Sequence, residues 1–278
     1  MNSLKSKKCL ITGASSGLGL ELVKLLIRAE AEVIMLCRDE KKSKAIIESL
    51  IKDYPNAKIQ LEIADFNSLD SLRTFIESFK KRYTSLDVLI NNAAALKSKI
   101  TYTKDGFETM FQVNYFAPFI LTNSLIDALN KGNNPQIINV ALPSQNLRLD
   151  FDDLQALKGF NPMNNLLKTK LCLFLYSLEL AKRLNNSSIR VLTGVPNNRP
   201  FDSSLGREMP FFMKMVMKLI CVKTEKVVKN IFNIISKEDI ETGFVFQGLK
   251  EVSLIPYWQN AEIRDKLWNE SERLLEIG

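Results

Sequence analysis

The amino-acid sequence predicts an α/β fold, in which one doubly wound parallel sheet forms the middle of three αβα layers and right-handed crossovers join its strands. Two observations predict this fold. Short apolar runs alternate with amphipathic helical stretches, and a glycine-rich turn separates the first apolar run from the first helical stretch. The 278 residues contain no internal repeat and no low-complexity linker, so we expect a single domain over residues 1–278.

Each element follows from its local pattern. Apolar runs predict strands at Cys9–Ile11, Val33–Leu36, Ile59–Ile63, Leu86–Ile90, Gln136–Val140 and Ile189–Leu192. Helical periodicity predicts helices at about Leu18–Ala29, in the Lys- and Glu-rich stretch after the second strand, from Ser68 through Phe79, at Val113–Leu129 and at about Asn164–Leu184. A C-terminal helix is also expected at 260–278. Ser68 is expected to cap its helix, because its hydroxyl can accept a hydrogen bond from a first-turn amide.

The chain contains no histidine. Without imidazole it cannot form a Ser-His-Asp or Cys-His nucleophile system, or a His-ligated zinc or haem site. Acid–base chemistry must therefore come from Lys, Tyr, Cys or carboxylate groups. The four cysteines, Cys9, Cys37, Cys172 and Cys221, are far apart. This spacing argues against a metal cluster and a disulfide framework and favours a reducing compartment, so we expect no metal.

The formal net charge is +7, which permits binding to phosphates, nucleic acid or an anionic membrane surface. The basic residues are spread among acidic ones, and no aromatic-plus-basic recognition motif occurs, so we expect no nucleic-acid partner. The first strand begins too soon after Met1 for an apolar signal core, and no run of 18 apolar residues occurs. We expect a cytoplasmic protein with no transmembrane segment, for which peripheral membrane contact is allowed.

The glycine-rich turn has the sequence Thr12-Gly13-Ala14-Ser15-Ser16-Gly17-Leu18-Gly19. Its glycines allow a tight turn, close approach of the backbone to a pyrophosphate, and tight packing of the helix on the strand. The helix that begins here directs its free amides toward the phosphates. Such a turn can be purely structural, but its position between a strand and a helix favours a Rossmann-type dinucleotide site formed by Gly13 and residues 15–19.

The end of the second predicted strand bears on the choice of nucleotide. NAD-binding proteins usually place a carboxylate there to hold the ribose 2′-hydroxyl. This chain has the uncharged Cys37, followed by Arg38. A guanidinium suits a 2′-phosphate, so we expect NADP(H) as the cofactor, the alternative being a solvent-facing arginine.

Several further motifs occur along the chain: Asp65-Phe66, Asn91-Asn92-Ala93-Ala94, Asp105-Gly106-Phe107-Glu108, Val113-Asn114, Thr169-Lys170-Leu171-Cys172 and Trp268-x2-Ser271-Glu272-x-Leu274. With the glycine-rich turn, they resemble the short-chain dehydrogenase/reductase superfamily over nearly the whole chain. Within it they are most similar to the retinol dehydrogenase and protochlorophyllide reductase branch. The resemblance implies further cofactor contacts at Asp65, Phe66, Asn92, Ala93, Ala94, Lys170 and Pro196.

The resemblance also implies an active site of Asn, Ser, Tyr and Lys, in which the tyrosine transfers the proton and the lysine lowers its pKa. Asn114 and Lys170 match two of these positions. The serine position is Leu142, and the tyrosine position, one helical turn before Lys170, is Leu166. Ser144 can substitute for the serine only if its loop shifts, and Pro143 stiffens that loop.

Neither nearby tyrosine is expected to replace the missing one. Tyr176 lies six residues after Lys170, about 120° away around the helix. Tyr115 is expected to point away from the active-site face. Two plainer interpretations stay open: Lys170 as an ordinary surface lysine and Asn114 as a helix-kink residue near Pro118.

The segment Met209–Val222 is rich in Met and Phe. In the family that it resembles, such a stretch covers the substrate, so residues 200–225 are expected to form a helical lid. The expected substrate pocket is apolar and is lined by Leu142, Leu166, Phe201, Phe211 and Phe212. Alternatively, the segment rests on an anionic membrane or forms a dimer contact, and the chain is expected to be a monomer or a homodimer.

Two hypotheses about function follow. The first is an atypical NADP(H)-dependent oxidoreductase that acts on an apolar small molecule and takes its proton from a group other than the tyrosine. The second is a redox-inert pseudoenzyme, or a non-redox cyclase- or isomerase-like protein, because two leucines make the reaction site apolar.

Overall fold

An eight-stranded sheet forms the centre of the computed structural model, which describes residues 3–142, 144–195, 224–237, 239–247 and 250–276. The strands are β1 (Lys8–Thr12), β2 (Glu32–Cys37), β3 (Lys58–Ile63), β4 (Val88–Asn91), β5 (Gln136–Val140), β6 (Arg190–Val195), β7 (Val245–Gln247) and β8 (Lys250–Glu251). Their order is β3-β2-β1-β4-β5-β6-β7-β8, parallel except for the antiparallel β7–β8 pair. The predicted doubly wound sheet is confirmed.

Helices cover both faces of the sheet. They are α1 (Gly17–Arg28), α2 (Glu40–Asp53), α3 (Leu69–Arg82), α4 (Thr109–Phe111), a π-helical turn (Gln112–Phe116), α5 (Ala117–Ser124), α6 (Ile126–Asn130), α7 (Pro162–Arg183), α8 (Thr224–Ser236), α9 (Pro256–Gln259) and α10 (Ala261–Leu275). The Ser68 hydroxyl caps α3, as predicted. Neither β7, β8, α8 nor α9 was predicted. Within the described ranges, no helix is long and apolar enough to cross a membrane.

Alternation along the strands divides the apolar side chains between two cores. In β1, Leu10 faces the core beneath α3, α5, α7 and α10, whereas Cys9 and Ile11 face the core beneath α1 and α8. All three side chains are fully buried. A strand buried on both faces needs helices on both sides, which produces the three layers.

The predicted continuous helix at Val113–Leu129 is wrong, because the chain there forms α4, the π-helical turn, α5 and α6. Pro118 has no amide hydrogen, so it cannot give the carbonyl of Asn114 the hydrogen bond that an α-helix requires. In the π-helical turn, the amide of Ala117 instead donates to the carbonyl of Gln112, five residues earlier. Asn114 lies in the middle of this π-helical turn, so the interruption of the α-helix sets the position of its side chain.

The C-terminal helix α10 packs on α7 through a buried carboxylate. Glu179 of α7 is 2% exposed and pairs with Arg183 at 3.1 Å and with Arg264 of α10 at 3.4 Å. The Arg183 guanidinium also lies over the Trp268 ring, 4.1 Å from its centre. These contacts hold the predicted helix near the C-terminus against the layer that carries the candidate site.

Replacing Glu179 with Gln tests this packing. Arg183 keeps its ion pair with Asp265, and Arg264 keeps its bonds to the carbonyls of Trp258 and Gln259, so only the buried charge-assisted contacts of Glu179 are lost. The free energy of unfolding should fall by about 2 kcal/mol in a urea titration. Glu270→Gln is the matched control, because its partner Arg273 is 67% exposed and the loss should be too small to measure. Equal losses in both variants would contradict the structural role of Glu179.

Candidate active site

The predicted nucleotide residues lie at one edge of the sheet, where the parallel strands end. β1 leads into the glycine-rich turn, β2 into Arg38, β3 into Asp65 and β4 into Asn92. β1 has β2 on one side and β4 on the other, so the strands first run outward to β3 and the chain then crosses back to β4 on the other side of β1. A crevice at this switch point is where doubly wound sheets bind ligands.

Hydrogen bonds of the Thr12 and Asn92 side chains join the ends of β1 and β4, and we call this pair the Thr12–Asn92 latch. The Thr12 hydroxyl accepts hydrogen bonds from the amides of Asn92 and Ala93, at 3.0 and 2.9 Å. The Asn92 side-chain amide donates back to the carbonyl of Thr12 at 2.9 Å. The latch fixes the glycine-rich turn against the segment after β4. Although the sequence indicated Asn92 as a cofactor contact, it gave no sign of this pairing with Thr12.

Two glycines of the turn are required by their surroundings. Gly13 has φ of +66°, and a Cβ there would lie 2.9 Å from the Cα of Ala93. A Cβ on Gly19 would lie 2.3 Å from the carbonyl oxygen of Gly13 and 2.6 Å from Nδ2 of Asn92. The backbone of the turn therefore packs directly against β4 and α1, which matches the packing role predicted for these glycines.

The start of α1 offers backbone donors. Gly17 is its first residue, and no acidic side chain occurs in its first turn. Ser15 and Ser16 are half-buried, while the side chain of Leu18 lies in the core, so Leu18 can contact a ligand only through its backbone. Free amides and the positive end of the helix dipole suit a pyrophosphate.

Cys37 and Arg38 differ in exposure at the end of β2. The Cys37 side chain is buried, and burial raises the pKa of its thiol, although hydrogen bonds with Ser43 and Ser15 oppose the shift. Arg38 is exposed and forms no ion pair with any residue of the described part. The strand end thus presents a cation without an ion-pair partner among the described residues, beside the glycine-rich turn, and the next residue, Asp39, caps α2.

Asp65 and Phe66, which follow β3, are held by hydrogen bonds to other residues of the protein. Asp65 accepts hydrogen bonds from the backbone and side-chain amides of Asn67, at 3.0 and 2.8 Å. The Phe66 ring lies in the core, and its carbonyl accepts a hydrogen bond from Gln112 at 2.9 Å. Phe66 therefore has only its backbone available to a ligand.

Gln112 was not among the site residues predicted from the sequence. Besides Phe66, its amide donates to Asp105 at 2.7 Å, and Asp105 also accepts from the amide of Leu69 at 2.9 Å. These bonds tie the segment after β3 to the π-helical turn. The Asp105-Gly106-Phe107-Glu108 motif was the only available signal, and it did not identify Gln112 as the partner.

Asn114 is fixed by three hydrogen bonds. Its Oδ1 accepts from the amide of Ala95 at 2.6 Å, and its Nδ2 donates to the carbonyl of Ala95 and to the Thr169 hydroxyl, both at 3.0 Å. The π-helical turn thus joins Ala95, in the segment after β4, to Thr169 of α7. Thr169 is the residue directly before Lys170. Asn114 lies at a helix break, as one sequence interpretation had it, and it also lies beside the candidate site.

Lys170 is not a surface lysine. Its side chain is 4% exposed, and Nζ donates to the carbonyl of Val140, at the end of β5, over 3.0 Å. Burial lowers the pKa of Lys170 to about 8. No carboxylate of the described residues pairs with it. α7 therefore places an ammonium with a single hydrogen-bond acceptor among the described residues at the edge of the sheet where the predicted nucleotide contacts lie.

Apolar side chains surround the position one turn before Lys170. Leu166 is buried in a small cluster with Leu96 and Met110, and half-buried Phe160 packs against it. Leu142 is half-buried against the larger core. Ser144 is half-buried, and none of the described residues hydrogen-bonds to its hydroxyl.

Both neighbouring tyrosines lie in the core. The Tyr115 hydroxyl pairs with the Ser271 hydroxyl of α10 at 2.6 Å, and the Tyr176 ring stacks on Trp268. Burial raises the pKa of each phenol well above its ordinary value. Neither phenol is placed to donate a proton at the sheet edge, in agreement with the expectation from helical spacing.

Part of the predicted site lies outside the described residues. This applies to Pro196 among the cofactor contacts, to Phe201, Phe211 and Phe212 of the substrate pocket, and to residues 200–223 of the lid. Residues 224 and 225 begin α8.

A doubly wound sheet with a glycine-rich turn at its switch point defines a nucleotide-binding α/β protein, and a buried lysine at the same edge is consistent with an oxidoreductase. A family model described as short chain dehydrogenase matches residues 7–146. Retinol dehydrogenase 13 of Mus musculus is 30% identical, over 99% of this chain and 86% of its own length. Retinol dehydrogenase 12 of Bos taurus is also 30% identical, over 99% of this chain and 88% of its own length.

The chain therefore belongs to the short-chain dehydrogenase family, in its retinol dehydrogenase-like branch. Among solved structures, the RhlG/NADP active-site complex of Pseudomonas aeruginosa has the same fold, with a TM-score of 0.70 and 22% identity. That match covers 88% of this chain and 96% of the other.

Replacing Gly19 with Ala tests the packing of the turn. The added Cβ has no room between Gly13 and Asn92, so we expect a loss of about 2 kcal/mol in the free energy of unfolding and weaker nucleotide binding. Gly194→Ala is the matched control, because its Cβ would make an ordinary contact, 3.5 Å from Cγ1 of Ile231. Denaturant titration and nucleotide fluorescence measure the two effects. A Gly19→Ala protein as stable as the control would contradict this packing.

Proposed function

We propose that this protein is an NADP(H)-dependent oxidoreductase of the short-chain dehydrogenase type that acts on an apolar small molecule without the family's tyrosine. One observation supports this most strongly. The nucleotide-binding turn is closely packed and latched, while Lys170 lies at the same sheet edge with Leu166 one turn before it.

The residues at the sheet edge fit such a nucleotide. Amides of residues 15–19 would hold the pyrophosphate, and Asp65 with the backbone of Phe66 would lie near the adenine. Asn92, Ala93, Ala94 and Lys170 would face the nicotinamide half, and Pro196 is proposed there from the resemblance alone. When bound, NADPH supplies a hydride to an electrophilic carbon. Arg38, exposed and unpaired among the described residues, would bind the 2′-phosphate.

The proposed substrate is apolar. Leu166, Leu96, Met110 and Phe160 form an apolar wall beside Lys170, and Leu142 lies at the end of β5. The two mammalian relatives are named as dehydrogenases of retinol, which is itself an apolar alcohol. Substrates that arrive already electrophilic, such as iminium ions or activated conjugated alkenes, need little acid from the protein.

A second candidate function is a redox-inert or non-redox role, such as cyclisation or isomerisation of an apolar ligand. The observation that favours it is the burial of Leu166 among apolar side chains, which leaves no hydroxyl one turn from Lys170. NADP(H) would then be a structural or sensing ligand.

The nucleotide preference can be tested at Arg38. Losing a charge-assisted hydrogen bond to the 2′-phosphate should weaken NADPH binding about tenfold or more in Arg38→Gln, with NADH binding unchanged. Calorimetric or fluorescence titration measures both. Lys52→Gln, at the far end of α2, removes an exposed cation away from the site and should change neither affinity. Equal losses for NADPH and NADH would contradict a contact with the 2′-phosphate.

Turnover distinguishes the two functions. Stopped-flow absorbance should show NADPH consumption with at least one member of a panel of imines, enones, aldehydes and ketones that includes retinal. The Leu166→Tyr/Leu142→Ser double variant should raise carbonyl reduction by about 100-fold, because a phenol beside Lys170 becomes an acid. No consumption by the unmodified protein, with strong carbonyl reduction by the double variant, would instead support the redox-inert function.

A further inference from the structure

We infer that the Lys170 ammonium is itself the acid that protonates the substrate oxygen when a carbonyl is reduced. This inference rests on the proposed oxidoreductase function and extends it, since it gives the lysine the step that the family assigns to the tyrosine.

The surroundings of Nζ support the inference. An ammonium carries three donors, and the described residues occupy one of them, through the 3.0 Å bond to the carbonyl of Val140. Val140 is the last residue of β5, so the amine lies at the strand end where the nucleotide residues gather. The remaining N–H bonds have no acceptor in the described part of the chain and are free to meet a substrate oxygen.

The groups around Lys170 leave it as the available acid. The π-helical turn presents the neutral Asn114 and the phenol of Tyr115, which is paired with Ser271. β5 contains no titratable residue. On α7 itself, burial raises the pKa of Cys172 and of Tyr176, so both stay neutral, and Lys168 is half-buried.

The same burial makes the Lys170 proton transferable. A solvated lysine holds its proton too tightly for efficient transfer near neutral pH, whereas desolvation weakens the charged form. With a pKa of about 8, Lys170 is mostly protonated at pH 7 and releases its proton readily.

The substrate carbon gains the hydride, and the carbonyl oxygen takes a proton as an N–H bond of Lys170 breaks and an O–H bond forms. The ammonium becomes a neutral amine, which regains a proton from water. The net change is reduction of the carbonyl to an alcohol and oxidation of NADPH to NADP⁺, with one proton consumed.

Two probes separate proton donation from every other role of Lys170. Reduction of retinal needs a proton on oxygen, whereas reduction of the preformed N-methyl-3,4-dihydroisoquinolinium ion gives a neutral amine without one. Arginine keeps the positive charge but does not release its proton, since its pKa exceeds about 12. In Lys170→Arg, the ratio of the retinal rate to the iminium rate should fall about 100-fold. Lys168→Arg, two residues away, should leave the ratio unchanged.

The pH profile gives a second readout. Above about pH 8, the wild-type rate of retinal reduction at saturating NADPH should fall tenfold per pH unit, because the acid is lost as Lys170 deprotonates. The iminium rate should lack this fall, and Lys170→Arg should lack it with either probe.

A third readout needs no nucleotide. Between about pH 8 and 10.5, folded Lys170 is neutral while the unfolded residue remains charged. The free energy of unfolding of the wild type, relative to Lys170→Met, should therefore rise with pH across this window in urea titrations. A flat difference would show that Lys170 has an ordinary affinity for its proton and would overturn the inference.

The outcomes are distinguishable. Consumption of NADPH with neither probe would overturn the proposed function and the inference together. Reduction of the iminium ion alone would overturn the inference and leave the proposed function standing. Reduction of both probes, with an unchanged ratio in Lys170→Arg or no fall above pH 8, would do the same.

Discussion

Burial destabilises the charged form of a lysine that has few hydrogen-bond acceptors, and the chemistry of the site depends on this constraint at Lys170. In the described part of the chain, a single backbone carbonyl, that of Val140, accepts from it, and Leu166 places hydrocarbon where a hydroxyl would otherwise stand. Burial without a carboxylate partner destabilises the charged amine and so makes its proton easier to release. The position of α7, the end of β5 and the apolar cluster beside them together determine the chemistry open to this sheet edge.

The glycine-rich turn depends on contacts other than those that surround Lys170. The Thr12–Asn92 latch and the close approach of Gly19 to Gly13 connect β1, β4 and α1 directly, and they make no use of α7. Changes at Leu142 and Leu166 can therefore alter the surroundings of Lys170 while the glycine-rich turn stays intact. This separation explains how one chain can combine a well-packed turn with an apolar reaction site.

The sequence predicted the strands and the glycine-rich turn because both are local signals, such as an apolar run or a glycine at a strand end. It failed where the outcome depends on one missing backbone hydrogen bond or on contacts between separate elements. The helix over Val113–Leu129 breaks because Pro118 lacks an amide hydrogen, and the Ala117 amide bonds to the Gln112 carbonyl in a π-helical turn. Burial of Lys170 and the contacts of Gln112 with Phe66 and Asp105 arise only when separate elements pack, so spacing along the chain does not reveal them.

We propose that the glycine-rich turn and Lys170 form one site around one nucleotide. A crystal structure of the protein with NADP⁺ tests this arrangement. We expect the pyrophosphate at the amides of residues 15–19, the 2′-phosphate at Arg38, and the Lys170 Nζ in hydrogen-bond contact with the nucleotide or with a water that it holds. A nucleotide bound elsewhere, or a Lys170 amine separated from it by other side chains, would show that the turn and the lysine do not form one site.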